Sequence, residues 1–65
     1  MKHWIDLTVN APNFQLYGFH TGKKLWFRRN NGTEYLGIYL GWGIFSEGHG
    51  SEEFDDVTHW APVKE

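Results

Sequence analysis

The tetrapeptide Asn30-Asn31-Gly32-Thr33 is the feature that most limits how this chain can fold. Asn-Gly accepts the positive φ angles of a type I′ turn, whose twist matches that of paired antiparallel strands. The flanking segments suit strands, and in residues 34–40 every second residue from position 36 onward is Leu or Ile. The sequence therefore predicts a β-hairpin that pairs residues 24–29 with residues 34–40 through a type I′ turn.

Elsewhere the apolar residues also recur with period two rather than with the 3.6-residue period of a helix. Further strands are predicted over residues 4–9, 14–19, 42–45 and 57–60. Ser51, followed by two glutamates, favours one short helical turn near residues 51–56, since Ser caps helices and acids stabilise their first turn. The expected fold is all-β: an antiparallel sheet of four to six short strands, curled or barrel-like, because a flat sheet this small would leave one face open.

The size of the chain makes residues 1–65 a single domain with a thin core. Four Trp, five Phe and three Tyr compensate, because each large ring buries roughly 150–250 Å². The absence of Cys excludes a disulfide framework and suits a reducing compartment. No apolar stretch approaches the ~20 residues of a membrane span, and the amino terminus does not match a signal peptide. We expect a cytoplasmic protein without a membrane segment.

The residues that carry chemistry form no catalytic or metal-binding motif. The four histidines (His3, His20, His49 and His59) match no zinc-ligand spacing. Neither Gly41-Trp42-Gly43 nor Gly48-His49-Gly50 has the spacing of a phosphate-binding loop. The carboxylates of residues 52–56 are expected in a solvated loop, because so small a domain rarely encloses a cleft that shifts their pKa. We expect no catalysis, no cofactor and no metal.

Charge is segregated along the chain into a basic middle, residues 23–29, and an acidic region, residues 47–56. Basic residues interleaved with rings are typical of a nucleic-acid stacking platform, but also of edge strands protected against aggregation. A dense acidic run can mimic nucleic-acid phosphates. Trp, Tyr and Arg dominate interface energetics. The candidate binding residues are therefore Trp26, Arg28 and Arg29, followed by Tyr17 and Tyr39.

The carboxyl-terminal segment Val57-Thr58-His59-Trp60-Ala61-Pro62 is expected to be a strand with mainly structural side chains. Alternation would point Thr58 and Trp60 to one face, Val57 and His59 to the other. The indole N–H of Trp60 should find a hydrogen-bond partner, and His59 should donate to a backbone carbonyl.

That ending resembles the Val-Thr-His-Trp-Met-Pro ending of domain of unknown function family 551, small proteins found widely in bacteriophages and prophages. The likeness extends upstream to Trp4-Ile5, to Pro12, and to Gly37, Tyr39 and Trp42. Ala61 stands where the family has Met. The resemblance implies a phage origin and a bacterial host cytoplasm, and it supplies no activity.

These observations favour a small phage- or prophage-encoded interaction protein that binds a host macromolecule, most simply a host protein, and inhibits it in one version. Two alternatives stay open. One is a nucleic-acid-binding module that uses residues 23–29. The other is a homo-oligomeric structural protein, in which a spare aromatic face closes on a second copy.

Overall fold

The computed structural model describes residues 3–48 and 50–63, and within them one antiparallel sheet has six strands in the order β1-β6-β2-β3-β4-β5. The elements are β1 (Ile5–Asp6), α1 (Phe14–Tyr17), a 3₁₀ turn (Phe19–Thr21), β2 (Leu25–Arg29), β3 (Glu34–Gly41), β4 (Ile44–Ser46), β5 (Glu53–Phe54) and β6 (Val57–Pro62). The sheet is curled and does not close into a barrel over the described residues. The predicted all-β antiparallel fold is confirmed.

The hairpin of β2 and β3 is confirmed, but its turn is not type I′. The strands pair from Leu25 opposite Gly37 to Arg28 opposite Glu34. In the turn only Gly32 has a positive φ, 88°, whereas type I′ needs two such residues. Three residues separate the closing pair, because the Arg29 N–H donates to the Thr33 carbonyl at 2.8 Å. This is the three-residue hairpin loop in which a type I turn is followed by a left-handed glycine.

A type I′ turn does occur, at the other end of β3. Gly41 pairs with Ile44, and the two residues between them, Trp42 and Gly43, have φ angles of 57° and 77°. Strand β3 thus serves two hairpins, since its first half pairs with β2 and its second half with β4. The bend lies near Gly37, where an added Cβ would overlap the Ser46 carbonyl and the Phe27 ring.

The strand predicted over residues 14–19 is wrong, because this segment forms α1 and the 3₁₀ turn. Asn13 caps the helix: its side-chain oxygen accepts a hydrogen bond from the Gln15 N–H at 2.8 Å. The helix ends at Gly18, whose position beside the Phe14 carbonyl leaves no room for a Cβ. Local capping therefore overrides the alternation of the apolar residues.

Two other predicted boundaries also need correction. The strand expected over residues 4–9 ends at Asp6, because the Asp6 carboxylate accepts hydrogen bonds from the N–H and hydroxyl of Thr8 and turns the chain. The helical turn expected near residues 51–56 is instead the short strand β5. Phe54 explains the change: it pairs with Phe45, and its ring stacks on Tyr35 at 5.2 Å.

The core consists mainly of aromatic rings. Its buried members are Leu25, Phe27, Tyr39, Phe45, Phe54, Val57 and Trp60. A register shift between β2 and β6 brings Val57 and Trp60 into the same core, so the predicted separation of these two residues onto opposite faces is wrong. The indole N–H of Trp60 donates to the Asn10 carbonyl at 2.7 Å, as expected. His59 contacts the Thr58 hydroxyl at 2.9 Å rather than a backbone carbonyl.

Candidate protein-interaction surface

Trp26 and Arg28 lie on the outer face of β2, opposite its core residues, and are half-buried. The Arg28 guanidinium carbon is 4.4 Å from the centroid of the Trp4 ring, within cation–π range. Its Nε is also 3.6 Å from a Glu34 carboxylate oxygen. Arg28 is therefore held by neighbours within the protein on both sides.

Arg29 is engaged more tightly than Arg28. Its Nε and Nη2 donate to the two carboxylate oxygens of Asp56 at 2.9 and 2.8 Å, a bidentate ion pair. These hydrogen bonds raise the pKa of Arg29 and lower the pKa of Asp56. The guanidinium carbon also lies 4.5 Å from the Phe54 ring centroid. Arg29 therefore joins β2 to the segment between β5 and β6, which is a structural role.

The two candidate tyrosines face the interior to different degrees. Tyr39 is only 5% exposed and belongs to the core, so the expectation that it is an exposed contact is wrong. The Phe14 ring of α1 packs against it edge-on, with the ring centroids 6.2 Å apart. Tyr17 is half-buried and meets Trp60 edge-on at 5.4 Å. The five predicted binding residues therefore do not form one continuous surface.

The residue that the structure presents most openly is Trp42. Its side chain is 99% exposed, at the tip of the β3–β4 hairpin. Its φ of 57° lies in the left-handed region, which is unfavourable for a bulky residue, and it is the one non-glycine residue with positive φ in the described part of the chain. Trp42 thus contributes nothing to the core while occupying a strained position.

Apolar side chains continue from Trp42 onto α1. A groove of about 270 Å³ beside it is lined by Phe14, Tyr39, Leu40, Gly41 and Trp42. Phe14 is partly exposed there and meets Phe19, also partly exposed, edge-on at 5.9 Å. Leu16, further along α1, is about half exposed. We call the exposed set Trp42, Phe14, Leu16 and Phe19 the aromatic tip.

An acidic margin follows the end of β4 and flanks β5. It consists of four exposed carboxylates, Glu47, Glu52, Glu53 and Asp55. Among residues 3–48 and 50–63, the arginines that could neutralise them are paired elsewhere, with Glu34 and Asp56. Strand β5 is also an outer strand of the sheet. The margin therefore gives this outer edge of the sheet a negative charge.

Neither a cluster of metal ligands nor a membrane-spanning helix occurs in the described residues. No group of three His, Asp or Glu side chains in this part of the chain is arranged to hold a metal ion. His49 lies outside the described residues. None of the helices described is long and apolar enough to cross a membrane.

Comparisons with known proteins give no relative: no family model, no curated protein and no solved structure matches this chain. The resemblance of the carboxyl-terminal segment to the phage family therefore stays a proposal based on the residues themselves.

The sequence interpretation missed Trp42 as a surface residue because it placed residues 42–45 in a strand. The signal was present in Gly41-Trp42-Gly43. Glycines on both sides are typical of a tight turn, and a turn between two strands exposes whatever side chain it carries.

Proposed function

We propose that this chain is a small, non-catalytic interaction protein that binds a host protein through the aromatic tip. The exposure of Trp42 carries the proposal. A bulky residue in the left-handed region costs about 1–3 kcal/mol, and such strain concentrates at functional sites. Because the indole packs against no core residue, nothing in the fold offsets that cost. Trp is also among the residues that dominate binding energy at interfaces.

The small area of the aromatic tip predicts modest affinity for a partner protein. Burial of a large ring such as the Trp42 indole removes up to about 250 Å² from water, which corresponds to about 6 kcal/mol before any cost is subtracted. Association itself costs about 4–15 kcal/mol. Trp42 alone would therefore bind weakly, and the partly exposed side chains of α1 must add to the contact. A partner with a pocket for the indole and an apolar rim for α1 meets this need.

The resemblance of residues 57–62 to the phage family supports a phage or prophage origin, with the cytoplasm of a bacterial host as the setting. A nucleic-acid-binding module built on residues 23–29 is less well supported. Arg28 and Arg29 already have carboxylate partners, so binding phosphates would require these ion pairs to break.

Affinity capture from a bacterial lysate tests the proposal. Tagged wild-type protein is compared with two variants. Trp42→Asn removes the indole but suits the turn, and Val9→Ser alters another exposed apolar residue (81% exposed) that is not one of the four residues of the aromatic tip. We expect one abundant protein to be retained by the wild type and Val9→Ser and lost with Trp42→Asn. Equal retention by all three variants would contradict the proposed surface.

The two earlier alternatives are checked in parallel with one further variant. Trp26→Ala combined with Arg28→Ala should leave capture unchanged if the aromatic tip is the surface. Sedimentation of the wild type should show a monomer. A dimer that Trp42→Asn dissociates would instead support the homo-oligomeric alternative.

A further inference from the structure

We infer that an open cleft beside the 3₁₀ turn and the end of β6 binds a small phosphate monoester that carries an apolar or aromatic group. The cleft has a volume of about 580 Å³, within the range of small-ligand sites. No residue of the aromatic tip lines it, so the inference goes beyond the proposed function. The lining side chains that carry the argument are Tyr17, Thr21, Lys23, Lys24, Leu36 and Val63. We call this site the lysine cleft.

Local contacts hold Lys23 at the lysine cleft. The Thr21 hydroxyl, in the 3₁₀ turn, donates to the Gly18 carbonyl at 2.7 Å and accepts from the Lys23 N–H at 3.2 Å. The Lys23 ammonium lies 5.7 Å from the centroid of the Tyr17 ring, within cation–π range. The turn therefore orders the backbone of Lys23, and the Tyr17 ring orders its side chain.

Strand register brings Lys24 beside an apolar wall. Leu25 of β2 pairs with Pro62 of β6, and Lys24 and Val63 are the chain neighbours of this pair. Leu36 belongs to β3, which pairs with the other side of β2. Leu36 and Val63 are 39% and 40% exposed. The lysine cleft therefore combines cationic side chains with apolar surface that a ligand can remove from water.

The positive charge of the lysine cleft is not neutralised within the described part of the chain. The described residues that line the cleft include no Asp or Glu. Neither lysine forms an ion pair among residues 3–48 and 50–63, whereas Arg28 and Arg29 do. Protection of a sheet edge does not explain the lysines, because they lead into β2, which lies inside the sheet between β6 and β3. Two ammonium groups in one cleft therefore favour an anionic ligand.

The two charges favour a phosphate monoester among small anions. A phosphate monoester carries a charge of about −1.5 to −2 at pH 7, whereas a carboxylate or a sulfate ester carries a single charge. Lys binds phosphate as a point charge and does not need the bidentate geometry of Arg. A ring or a short alkyl group on the phosphate would contact Leu36 and Val63, an interaction that inorganic phosphate cannot make.

Titrations followed by ¹H–¹⁵N NMR test the inference with three probes at about pH 7.5 and a fixed ionic strength of about 0.05 M. Phenyl phosphate has the dianion and the ring, phenyl sulfate has the ring with a single charge, and inorganic phosphate has no ring. The double variant Lys23→Gln, Lys24→Gln removes both charges from the lysine cleft. Its matched control, Lys23→Arg, Lys24→Arg, keeps them. Spectra recorded without probe check that each variant is folded.

Phenyl phosphate should bind the wild type with a Kd on the order of 1–10 mM, as expected for so small a ligand. The amide signals that shift should include those of Thr21, Lys23, Lys24, Leu36 and Val63. Phenyl sulfate and inorganic phosphate should each bind about threefold or more weakly. The Gln variant should weaken phenyl phosphate binding about tenfold, whereas the Arg variant should stay within about twofold of the wild type.

Equal binding of the three probes would identify an adventitious ion only and would overturn the inference. Phenyl phosphate binding that survives the Gln variant, or that shifts amide signals elsewhere in the chain, would also overturn it. These outcomes are independent of the protein capture that depends on Trp42, so the proposed function and this inference can fail separately.

Discussion

The two turns at the ends of β3 differ in how well each sequence suits its backbone. The turn after β2 is Asn-rich, has its one positive φ at Gly32, and is closed by a hydrogen bond from the Gly32 N–H to the Arg29 carbonyl at 2.9 Å. The side-chain oxygen of Asn31 adds a second hydrogen bond, which it accepts from the Thr33 N–H at 2.9 Å. The turn after β3 instead places Trp42 where Asn, Asp or Gly is preferred. Local preference explains the first turn but not the second.

We propose that the difference separates residues that stabilise the fold from residues that bind a partner. Proteins are locally consistent over most of their length and depart from local preference mainly at functional or strained sites. The first turn agrees with its sequence, and its neighbours Arg28 and Arg29 are held by internal contacts. At the second turn the strain is stored in the backbone, and the side chain is fully exposed. The proposed interaction surface lies at the second turn, whose sequence suits its backbone less well.

The largest effect is expected where β3 joins its two hairpins. In Gly37→Ala the new methyl group would overlap the Ser46 carbonyl and the Phe27 ring, so β4 must shift. The cost is on the order of 3 kcal/mol or more, a large part of the stability of a domain this size. Urea unfolding followed by Trp fluorescence should show a largely unfolded variant. In Gly48→Ala the nearest neighbour of the new Cβ is the Ser51 hydroxyl at 3.9 Å, and this control should unfold like the wild type.

The next largest effect on stability is expected at the glycines of the two turns. Gly32 and Gly43 have φ angles of 88° and 77°, and an added Cβ meets nothing within 4 Å at either position. Gly32→Ala and Gly43→Ala should therefore each destabilise by about 1–2 kcal/mol through backbone strain alone. Thermal unfolding would register this as a decrease in Tm of several degrees. A much larger loss of stability at one turn would show that its glycine has a further role, and it would contradict the view that the two glycines are equivalent.

A smaller, pH-dependent effect is expected from the Arg29–Asp56 pair beside the first turn. Hydrogen bonds from Arg29 hold the pKa of Asp56 below its ordinary value of 3.8, which it regains on unfolding. The pair therefore stabilises the fold above about pH 3.8, and this contribution is lost as pH falls through the lowered pKa. Asp56→Asn should lower the urea midpoint at neutral pH and flatten its decline between about pH 5 and pH 2. Asp55→Asn, at an exposed position, is the matched control; an equal flattening there would contradict the assignment.

Sequence patterns predicted the sheet, the β2–β3 hairpin and the structural role of Trp60, because alternation and turn chemistry act over a few residues. They failed in one segment where a longer-range contact decides the structure and in another where a local helix cap does. Burial of Phe54 against Tyr35 makes a strand of a segment with helix-start signals. The cap at Asn13 makes a helix of an alternating segment.

The candidate surface was harder to predict than the fold. Exposure of the arginines was overestimated, because their partners Glu34 and Asp56 are fixed only by strand register and by the return of the chain after β5. Trp42 was assigned to a strand because the position of a two-residue turn depends on which residues of β3 and β4 pair. Residue types alone did not specify that register.

The most direct test of the central claim, that Trp42 is retained for binding at a cost in stability, is the unfolding of Trp42→Asn measured beside its partner capture. Asn-Gly is the preferred type I′ pair, and the indole makes no core contact. We expect this variant to gain about 1 kcal/mol of stability, seen as a rise in Tm of about 4–8 °C, while it loses the captured protein. A variant that is less stable than the wild type, or that still captures the partner, would contradict the account.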